Sequence, residues 1–252
     1  MKQMTRVVSS LFLISILLTA CRGAPPPPPS NTNNGVANPT TQSSIVTSQP
    51  ITGTIKIKAE VWTDNWFAFY LGDQLIKEDS VPITTERSFN SETFTFEASY
   101  PLQLNFIVKD FKENDTGLEY IGTNRQQMGD GGFIAQFTNA ETGELIAVTD
   151  SNWKGLVIQE APLDIACEKE ANPVAGQSPC GFMALDEPAG WKSIDFDDST
   201  WINATLYTEA QVSPKDGYDE ITWTPSAKLI WGPDLKKDNT ILYRLTIPVT
   251  NP

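Results

Sequence analysis

Apolar and polar residues alternate over most of the chain beyond residue 50. In the segment 55–61, every second residue is apolar and the residues between are charged. The same period of two recurs at 93–98, at 102–109 and at 241–247. It places one set of side chains in a core and the other in solvent, which is typical of a β-strand. No amphipathic helical pattern extends beyond three turns, so the alternation predicts an all-β fold.

Turn sequences separate these segments. Gly72-Asp73, Tyr100-Pro101 and the Asn-to-Gly segment 139–143 each interrupt the alternation with residues that favour turns. With the shorter apolar segments included, the pattern predicts about nine to eleven strands over 51–252. That number favours one β-sandwich domain over two separate domains.

The first fifty residues follow a different pattern. Residues 1–20 have two basic residues, Lys2 and Arg6, before an apolar stretch at 11–18, which is too short for a stable membrane-spanning helix. This is the pattern of a signal peptide. Residues 21–50 include five consecutive prolines, no acidic residue and few large apolar side chains. Such a segment cannot bury enough surface to fold, so we expect a disordered Pro/Asn/Thr-rich linker before the domain 51–252.

Leu18-Thr19-Ala20-Cys21 resembles the bacterial lipobox. The resemblance implies cleavage before Cys21 and acylation of that cysteine, palmitate included, which makes the mature chain a lipoprotein. Several acyl chains hold a protein firmly at a membrane surface. The implied location is the bacterial cell membrane or outer membrane, on the extracytoplasmic side. The alternative is an ordinary secretory signal that contains a cysteine by chance.

Composition excludes several chemistries. The 252 residues include no histidine, which excludes a Ser-His-Asp triad, a Cys-His nucleophile and a His-ligated zinc ion. The 18 basic and 31 acidic residues give a net charge of −13, which disfavours nucleic acid as a partner. The chain has neither a nucleophile elbow nor a phosphate-binding glycine loop. We therefore expect no enzyme activity, although a carboxylate pair for glycoside hydrolysis stays open.

Two cysteines remain beyond the lipobox. Cys167 and Cys180 enclose a polar segment. In an oxidising compartment two such residues are expected to form a disulfide bond. A two-thiol metal site is the less favoured alternative, because no histidine is present to complete it.

A family resemblance appears around the tryptophans. Trp191 and the following Phe-Asp-Asp-Ser-Thr-Trp sequence at 196–201 resemble a pattern of galactose-binding-domain-like β-sandwiches. These are jelly rolls that occur as accessory domains in bacterial α-rhamnosidases and β-galactosidases. Further segments resemble the family pattern in the same order, namely 63–74, 149–154, 229–232 and 239–247.

The resemblance implies a jelly-roll sandwich but does not settle the function. Members of this fold bind sugars, bind proteins or have no ligand. One departure is Gly72-Asp73, which stands where the family has Asn-Gly. The pattern also implies that Trp153, Trp191 and Trp201 belong to the core.

Two groups of residues are candidates for ligand binding. Trp66 and Trp223 lie in polar surroundings near strand ends, where an exposed ring can act as a platform for a sugar. The segment 122–132 concentrates hydrogen-bonding side chains and glycines between two strands. The candidates there are Asn124, Arg125, Gln127 and Asp130. The alternative for this segment is a long solvated connection.

The acidic sequence at 195–198 is a possible calcium site. Asp195, Asp197 and Asp198 supply three carboxylates, whereas calcium takes six to eight oxygen ligands. We expect capping and turn roles for these residues and no cofactor.

These observations favour a membrane-anchored, non-catalytic module that binds carbohydrate or another cell-envelope ligand. Its expected partners are the lipid bilayer, through acylated Cys21, and a carbohydrate or an envelope protein. The alternative is a structural or protein-interaction subunit of an envelope complex. A glycoside-active enzyme is the third hypothesis.

Overall fold

The computed structural model describes residues 53–249. The predicted signal peptide, the linker and Cys21 lie outside the described residues. Within residues 53–249 the chain forms fifteen strands, one short α-helix and two 3-10 helices. The strands are β1 (Ile55–Asp64), β2 (Trp66–Leu71), β3 (Gln74–Glu78), β4 (Asn90–Ala98), β5 (Leu102–Lys109), β6 (Leu118–Glu119), β7 (Gln127–Met128), β8 (Gly132–Asn139), β9 (Leu145–Val148), β10 (Lys154–Glu160), β11 (Met183–Ala184), β12 (Ile202–Asn203), β13 (Thr205–Tyr207), β14 (Leu229–Trp231) and β15 (Asp238–Ile247).

The helical elements are short. The α-helix α1 spans Glu209–Val212, and the 3-10 helices span Ile165–Lys169 and Tyr218–Glu220. In the part of the chain that the structure describes, no helix is both long enough and apolar enough to cross a membrane.

The predicted all-β sandwich is confirmed. The alternating segments of the sequence form β1, β4, β5 and β15. Over residues 53–249, nine strands have at least four residues and eleven have at least three. The remaining four are two-residue strands that the sequence pattern did not predict.

Two antiparallel sheets pack face to face. The first sheet has the order β13-β14-β8-β1-β4, with β9 also paired to β8. The second has the order β11-β10-β15-β5-β2-β3, with β12 also paired to β10. A separate two-stranded hairpin, β6-β7, lies outside both sheets. Strands that are distant in sequence are therefore neighbours, as β1 and β8 are in the first sheet and β5 and β15 in the second.

The core between the sheets is rich in aromatic rings. Phe106 of the second sheet and Phe133 of the first have ring centroids 4.8 Å apart. Phe133 also stacks on Tyr243, with centroids 5.7 Å apart. Trp153 contacts Phe106 edge to face and is fully buried. Rings of this size remove a large apolar area from water, so these contacts hold the two sheets together.

The outer faces of both sheets are also covered by chain segments. Trp62 occupies a position of β1 that alternation assigns to solvent, yet it is fully buried. Its ring meets Tyr218 edge to face, with centroids 5.5 Å apart. On the second sheet, Trp191 and Trp201 form a buried cluster with residues of β2, β5 and β15. The prediction that Trp153, Trp191 and Trp201 belong to the core is confirmed, because they are 0%, 2% and 6% exposed.

The disulfide bond predicted between Cys167 and Cys180 is confirmed. Both cysteines are buried and pack on Leu118 and Met128 of the β6-β7 hairpin. The bond therefore closes the segment between the cysteines and provides the hairpin with an apolar contact.

Candidate functional site

Four strands meet at one end of the sandwich and bring three carboxylates together. β1 ends at Asp64, β5 ends just before Asp110, and β8 begins two residues after Asp130. Each of these residues offers one carboxylate oxygen, and the three oxygens lie within 4.8 Å of one another. Asn239, near the start of β15, accepts a hydrogen bond at its carbonyl oxygen from the Asp110 backbone N–H, 2.9 Å away. We call Asp64, Asp110 and Asp130 the carboxylate cluster.

Strand pairing and glycine residues position the cluster. Asp64 lies opposite Gly132 in the pairing of β1 with β8. Gly129 lies so close to the Asp110 carboxylate that a Cβ atom there would collide with it. Gly131 lies similarly against the ring of Trp231. Gly129 therefore lets the backbone approach the cluster, and Gly131 leaves room for the Trp231 ring beside Asp130.

The cluster is strongly acidic and mostly buried. Asp64 is 0% exposed and Asp110 3%. Burial raises the pKa of Asp64 well above its usual value, and the Asp130 carboxylate raises it further. Burial also raises the pKa of Asp110, with repulsion from Asp64 and Glu119 as the next causes. Each of these carboxyl groups thus favours loss of its charge or a nearby positive charge.

One ammonium group contacts the cluster. Lys215 Nζ donates a hydrogen bond to Asp130 Oδ2 at 2.6 Å and lies 3.5 Å from Asp64 Oδ2. Burial by itself would lower the pKa of Lys215, but the Asp64 and Asp130 carboxylates raise it above its ordinary value. Lys215 therefore stays charged and balances one of the three carboxylates.

A small cavity adjoins the cluster. Its volume is about 140 Å³, and its lining includes Arg125, Gln127 and Asp130. The Arg125 guanidinium lies 3.8 Å from the centroid of the Tyr120 ring. Gln127 Nε2 donates a hydrogen bond to Glu119 at 2.8 Å, and burial raises the pKa of Glu119 to about 7. The structure thus brings three of the four candidate side chains of this segment together.

The fourth candidate, Asn124, is exposed beside Arg125 and is not part of the cavity lining. The segment itself is attached to the neighbouring chain. Gln126 Nε2 donates hydrogen bonds to the carbonyl oxygens of Glu168 and Glu170, at 3.0 and 2.8 Å. These two bonds fix the segment to the region that contains the disulfide bond.

A larger groove lies on the outer face of the first sheet. It has a volume of about 570 Å³, and its lining includes Tyr207, Tyr218 and Trp223. The rings of Tyr218 and Trp223 have centroids 5.9 Å apart and planes inclined by 33°. Tyr207 and Trp223 are half-buried and pack against the apolar cluster on the outer face of this sheet. We call this the aromatic groove.

Hydrogen bonds orient the three aromatic side chains. Trp223 Nε1 donates to the Tyr218 carbonyl oxygen at 3.1 Å, and the Tyr218 hydroxyl donates to Glu209 at 3.0 Å. The Tyr207 hydroxyl donates to the Gly232 carbonyl oxygen at 2.8 Å. The polar groups of the rings therefore bind the protein itself. Other polar side chains line the groove beside the rings, namely Thr208, Glu209, Thr224 and Lys228.

Trp66 lies on the opposite side of the molecule from Trp223. It packs with the buried cluster on the outer face of the second sheet, and Lys109 Nζ lies 4.6 Å from its ring centroid. Because the two tryptophans pack against the outer faces of different sheets, they cannot belong to one binding site. Trp223 contributes to the aromatic groove, whereas Trp66 contributes to packing on the second sheet.

Comparisons with protein-family models, with curated proteins and with solved structures found no match. The resemblance to galactose-binding-like sandwiches therefore stays a prediction.

The acidic residues at 195–198 take different roles. Asp197 Oδ1 accepts a hydrogen bond from the Ser199 backbone N–H at 3.0 Å, as in a turn. Asp198 Oδ2 accepts one from Arg244 Nε at 2.9 Å, and Asp195 is exposed. The Asp197 contact agrees with the expected turn role, whereas the Asp198 side chain forms an ion pair with Arg244 that the sequence did not predict.

Sequence reasoning missed Asp64 and Asp110 of the carboxylate cluster and the neighbouring Asn239. It also missed Tyr207 and Tyr218 of the aromatic groove. One signal for the cluster was present in the sequence, since Asp110 directly follows the alternating segment 102–109. An acidic residue at the end of a strand that no turn explains is a candidate for a site at the end of a sandwich. The two tyrosines have no comparable signal, because the segments that carry them are distant in sequence.

Proposed function

We propose that this protein is a non-catalytic carbohydrate-binding lipoprotein and that the aromatic groove is its binding site. The observation that carries the proposal is that three aromatic residues, Tyr207, Tyr218 and Trp223, line one groove together with polar side chains. The C–H face of a sugar ring packs on an aromatic ring, while its hydroxyl groups need hydrogen-bonding partners. The groove offers both kinds of contact.

The size of the groove supports this choice. Ligand pockets usually enclose about 300–1,000 Å³, and the groove has a volume of about 570 Å³. The cavity beside the carboxylate cluster, at about 140 Å³, is small for a sugar ring. A third cavity, of about 430 Å³, lies on the second sheet, and Phe111 is the single aromatic residue in its lining. Among the described residues, the groove therefore combines adequate size with several aromatic rings.

The charge distribution favours a neutral sugar. Glu209 and Lys228 are the charged residues of the groove lining and have opposite signs. All 31 acidic residues of the chain lie beyond residue 50, so the domain repels acidic sugars at long range. We therefore propose a neutral oligosaccharide as the ligand.

The location in this proposal rests on the amino-terminal sequence. Acylation at Cys21 would anchor the chain in the bacterial membrane, on the extracytoplasmic side, and the linker at 21–50 would hold the domain away from the bilayer. In that position the groove would be accessible to glycans of the cell envelope.

Glycan-array screening followed by calorimetry tests the proposal. We expect the protein to bind a neutral glycan and the Trp223→Ala variant to bind it at least about tenfold more weakly, because loss of one stacked ring removes roughly 1.4 kcal/mol of binding free energy. Trp66→Ala is the matched control, because it removes a half-buried tryptophan from the other sheet. Its affinity should equal that of the wild type.

Other outcomes would overturn this assignment. If Arg125→Ala or Trp66→Ala abolishes binding and Trp223→Ala does not, the site lies elsewhere. If the array is negative and chemical cross-linking recovers an envelope protein, the chain is an interaction subunit. Hydrolysis of a chromogenic glycoside that disappears on substitution of one acidic residue would identify an enzyme.

A further inference from the structure

The carboxylate cluster contains more negative charge than the described protein groups neutralise. Asp64, Asp110 and Asp130 contribute three carboxylates, and Glu119 lies buried nearby. Among residues 53–249, one positively charged side chain, that of Lys215, forms ion pairs with the cluster. Buried charges without a partner are costly, so a folded protein ordinarily neutralises them or binds an ion of the opposite sign.

The oxygen atoms of the two buried members have no hydrogen-bond partner. Within residues 53–249, neither carboxylate oxygen of Asp64 or Asp110 has one. Burial without any such contact is unusual for a carboxylate. Apart from the 3.5 Å ion-pair contact between Asp64 Oδ2 and Lys215, these four oxygens have no polar side-chain partner among the described residues and are available to bind a metal ion.

Asn239 is a buried polar residue next to the cluster. It is fully buried, and neither its side-chain oxygen nor its side-chain nitrogen has a hydrogen-bond partner within the described residues. Thr240 pairs with Lys109, and the Asp110 N–H bonds to the Asn239 carbonyl, so Asn239 and Asp110 lie directly opposite each other on neighbouring strands. Residues in that relation place their side chains on the same face. The Asn239 amide therefore lies beside the Asp110 carboxylate.

We propose that Asp64, Asp110, Asp130 and Asn239 form a calcium-binding site. Carboxylate and amide oxygens are the ligands that Ca²⁺ prefers, at distances of about 2.3–2.6 Å. The carboxylate oxygens of Asp64, Asp110 and Asp130 lie within 4.8 Å of one another, so all three can contact one ion at those distances. Backbone carbonyls or water would complete the coordination shell. The site does not depend on the proposed carbohydrate binding, because it lies at a different place in the fold.

The proposal gives the segment 122–132 a role. Asp130 lies near its end, whereas Asp64 and Asp110 lie at the ends of strands in the two different sheets. A bound ion would link this segment to both sheets. It would therefore stabilise the end of the sandwich as well as the individual side chains.

Thermal unfolding of the purified protein tests the site. The melting temperature should rise by roughly 5 °C between EDTA and millimolar CaCl₂, since extracellular calcium modules bind with dissociation constants of about 10⁻⁴–10⁻³ M. The Asp110→Asn variant should lose this shift. It should still fold, because the substitution removes a repelling charge and keeps the size of the side chain. The matched control is Asp195→Asn at an exposed position, which should keep the full shift.

Terbium luminescence gives a second measurement that does not depend on a variant. Trp231 lies against Gly131, next to Asp130, so excitation of tryptophan should sensitise Tb³⁺ bound in the cluster, and Ca²⁺ should displace it. The proposal is wrong if CaCl₂ leaves the wild-type melting temperature unchanged. It is equally wrong if Asp110→Asn responds like the wild type or if Asp195→Asn abolishes the response.

Discussion

Arg244 illustrates how one residue can connect distant parts of the chain. It lies on β15 and is 1% exposed. Its Nε donates to Asp198 at 2.9 Å, and Nη1 and Nη2 each donate to the Ser193 carbonyl oxygen at 3.1 Å. Its guanidinium also lies 5.0 Å from the ring centroid of Phe196. The guanidinium therefore attaches the segment around 193–198 to the outer face of the second sheet.

We predict that Arg244→Lys lowers the free energy of unfolding by about 1–3 kcal/mol. Lysine keeps the charge but cannot donate to Asp198 and to the Ser193 carbonyl with the same fixed geometry. Urea denaturation followed by tryptophan fluorescence measures the change. Arg125→Lys is the control, since Arg125 is exposed; equal losses in the two variants would contradict this role for Arg244.

For single residues, the sequence shows which side chains are present but not which other side chains they contact. Asp198 and Arg244 both occur in segments that support the family resemblance, yet nothing in the sequence predicts their contact. Asp64 and Asp110 are likewise visible as acidic residues in the sequence. Their convergence depends on which strands become neighbours, and that is a property of the whole fold.

At the scale of elements, the alternating pattern located the long strands but not what covers them. β1 and β5 each present side chains to a core between the sheets and to a second covering layer. Alternation assigned one face of each strand to solvent. The covering segments around 191–201 and 208–227 consist mostly of turns and short helices, which lack a periodic signal.

The disulfide bond closes the chain segment between Cys167 and Cys180. The 3-10 helix Ile165–Lys169 and the cysteines pack on the β6-β7 hairpin. We predict that Cys167→Ser combined with Cys180→Ser lowers the free energy of unfolding by about 3 kcal/mol, because the closed loop restricts the unfolded chain. Hydrogen exchange should show that residues 163–181 become the least protected part of the domain.

The control for this prediction is the third cysteine. Cys21→Ser should leave the free energy of unfolding unchanged, because that residue precedes the folded domain in the sequence. If the double variant unfolds at the same urea concentration as the wild type, the disulfide bond does not restrict the unfolded state as proposed.

At the scale of the whole molecule, the sequence divides into a basic beginning and an acidic domain. Residues 1–50 contain no acidic residue, so all 31 acidic residues belong to the remainder. The lipid anchor and the linker are predictions about the first part. The sandwich, the groove and the carboxylate cluster belong to the second.

We predict that Cys21→Ser moves the protein from the membrane fraction to the soluble fraction of the bacterial cell. Without the acylated cysteine, no lipid chain would hold the mature protein at the bilayer. Fractionation followed by immunoblotting measures the distribution. Replacement of Ser30 by alanine, in the same linker, is the control and should leave the protein at the membrane; a membrane-bound Cys21→Ser variant would contradict the anchor.

By itself, the sequence predicted that the domain is an all-β sandwich and favoured a disulfide bond between Cys167 and Cys180, and the structure confirms both. The first prediction rests on the local period of side chains along a strand, and the second on the number of cysteines in the chain. Only the tertiary structure decided that Tyr207, Tyr218 and Trp223 share a groove and that Asp64, Asp110, Asp130 and Asn239 meet at one end. Those groupings depend on which strands become neighbours in each sheet. Strand order is set by packing among residues far apart in the chain, so no local pattern reveals it.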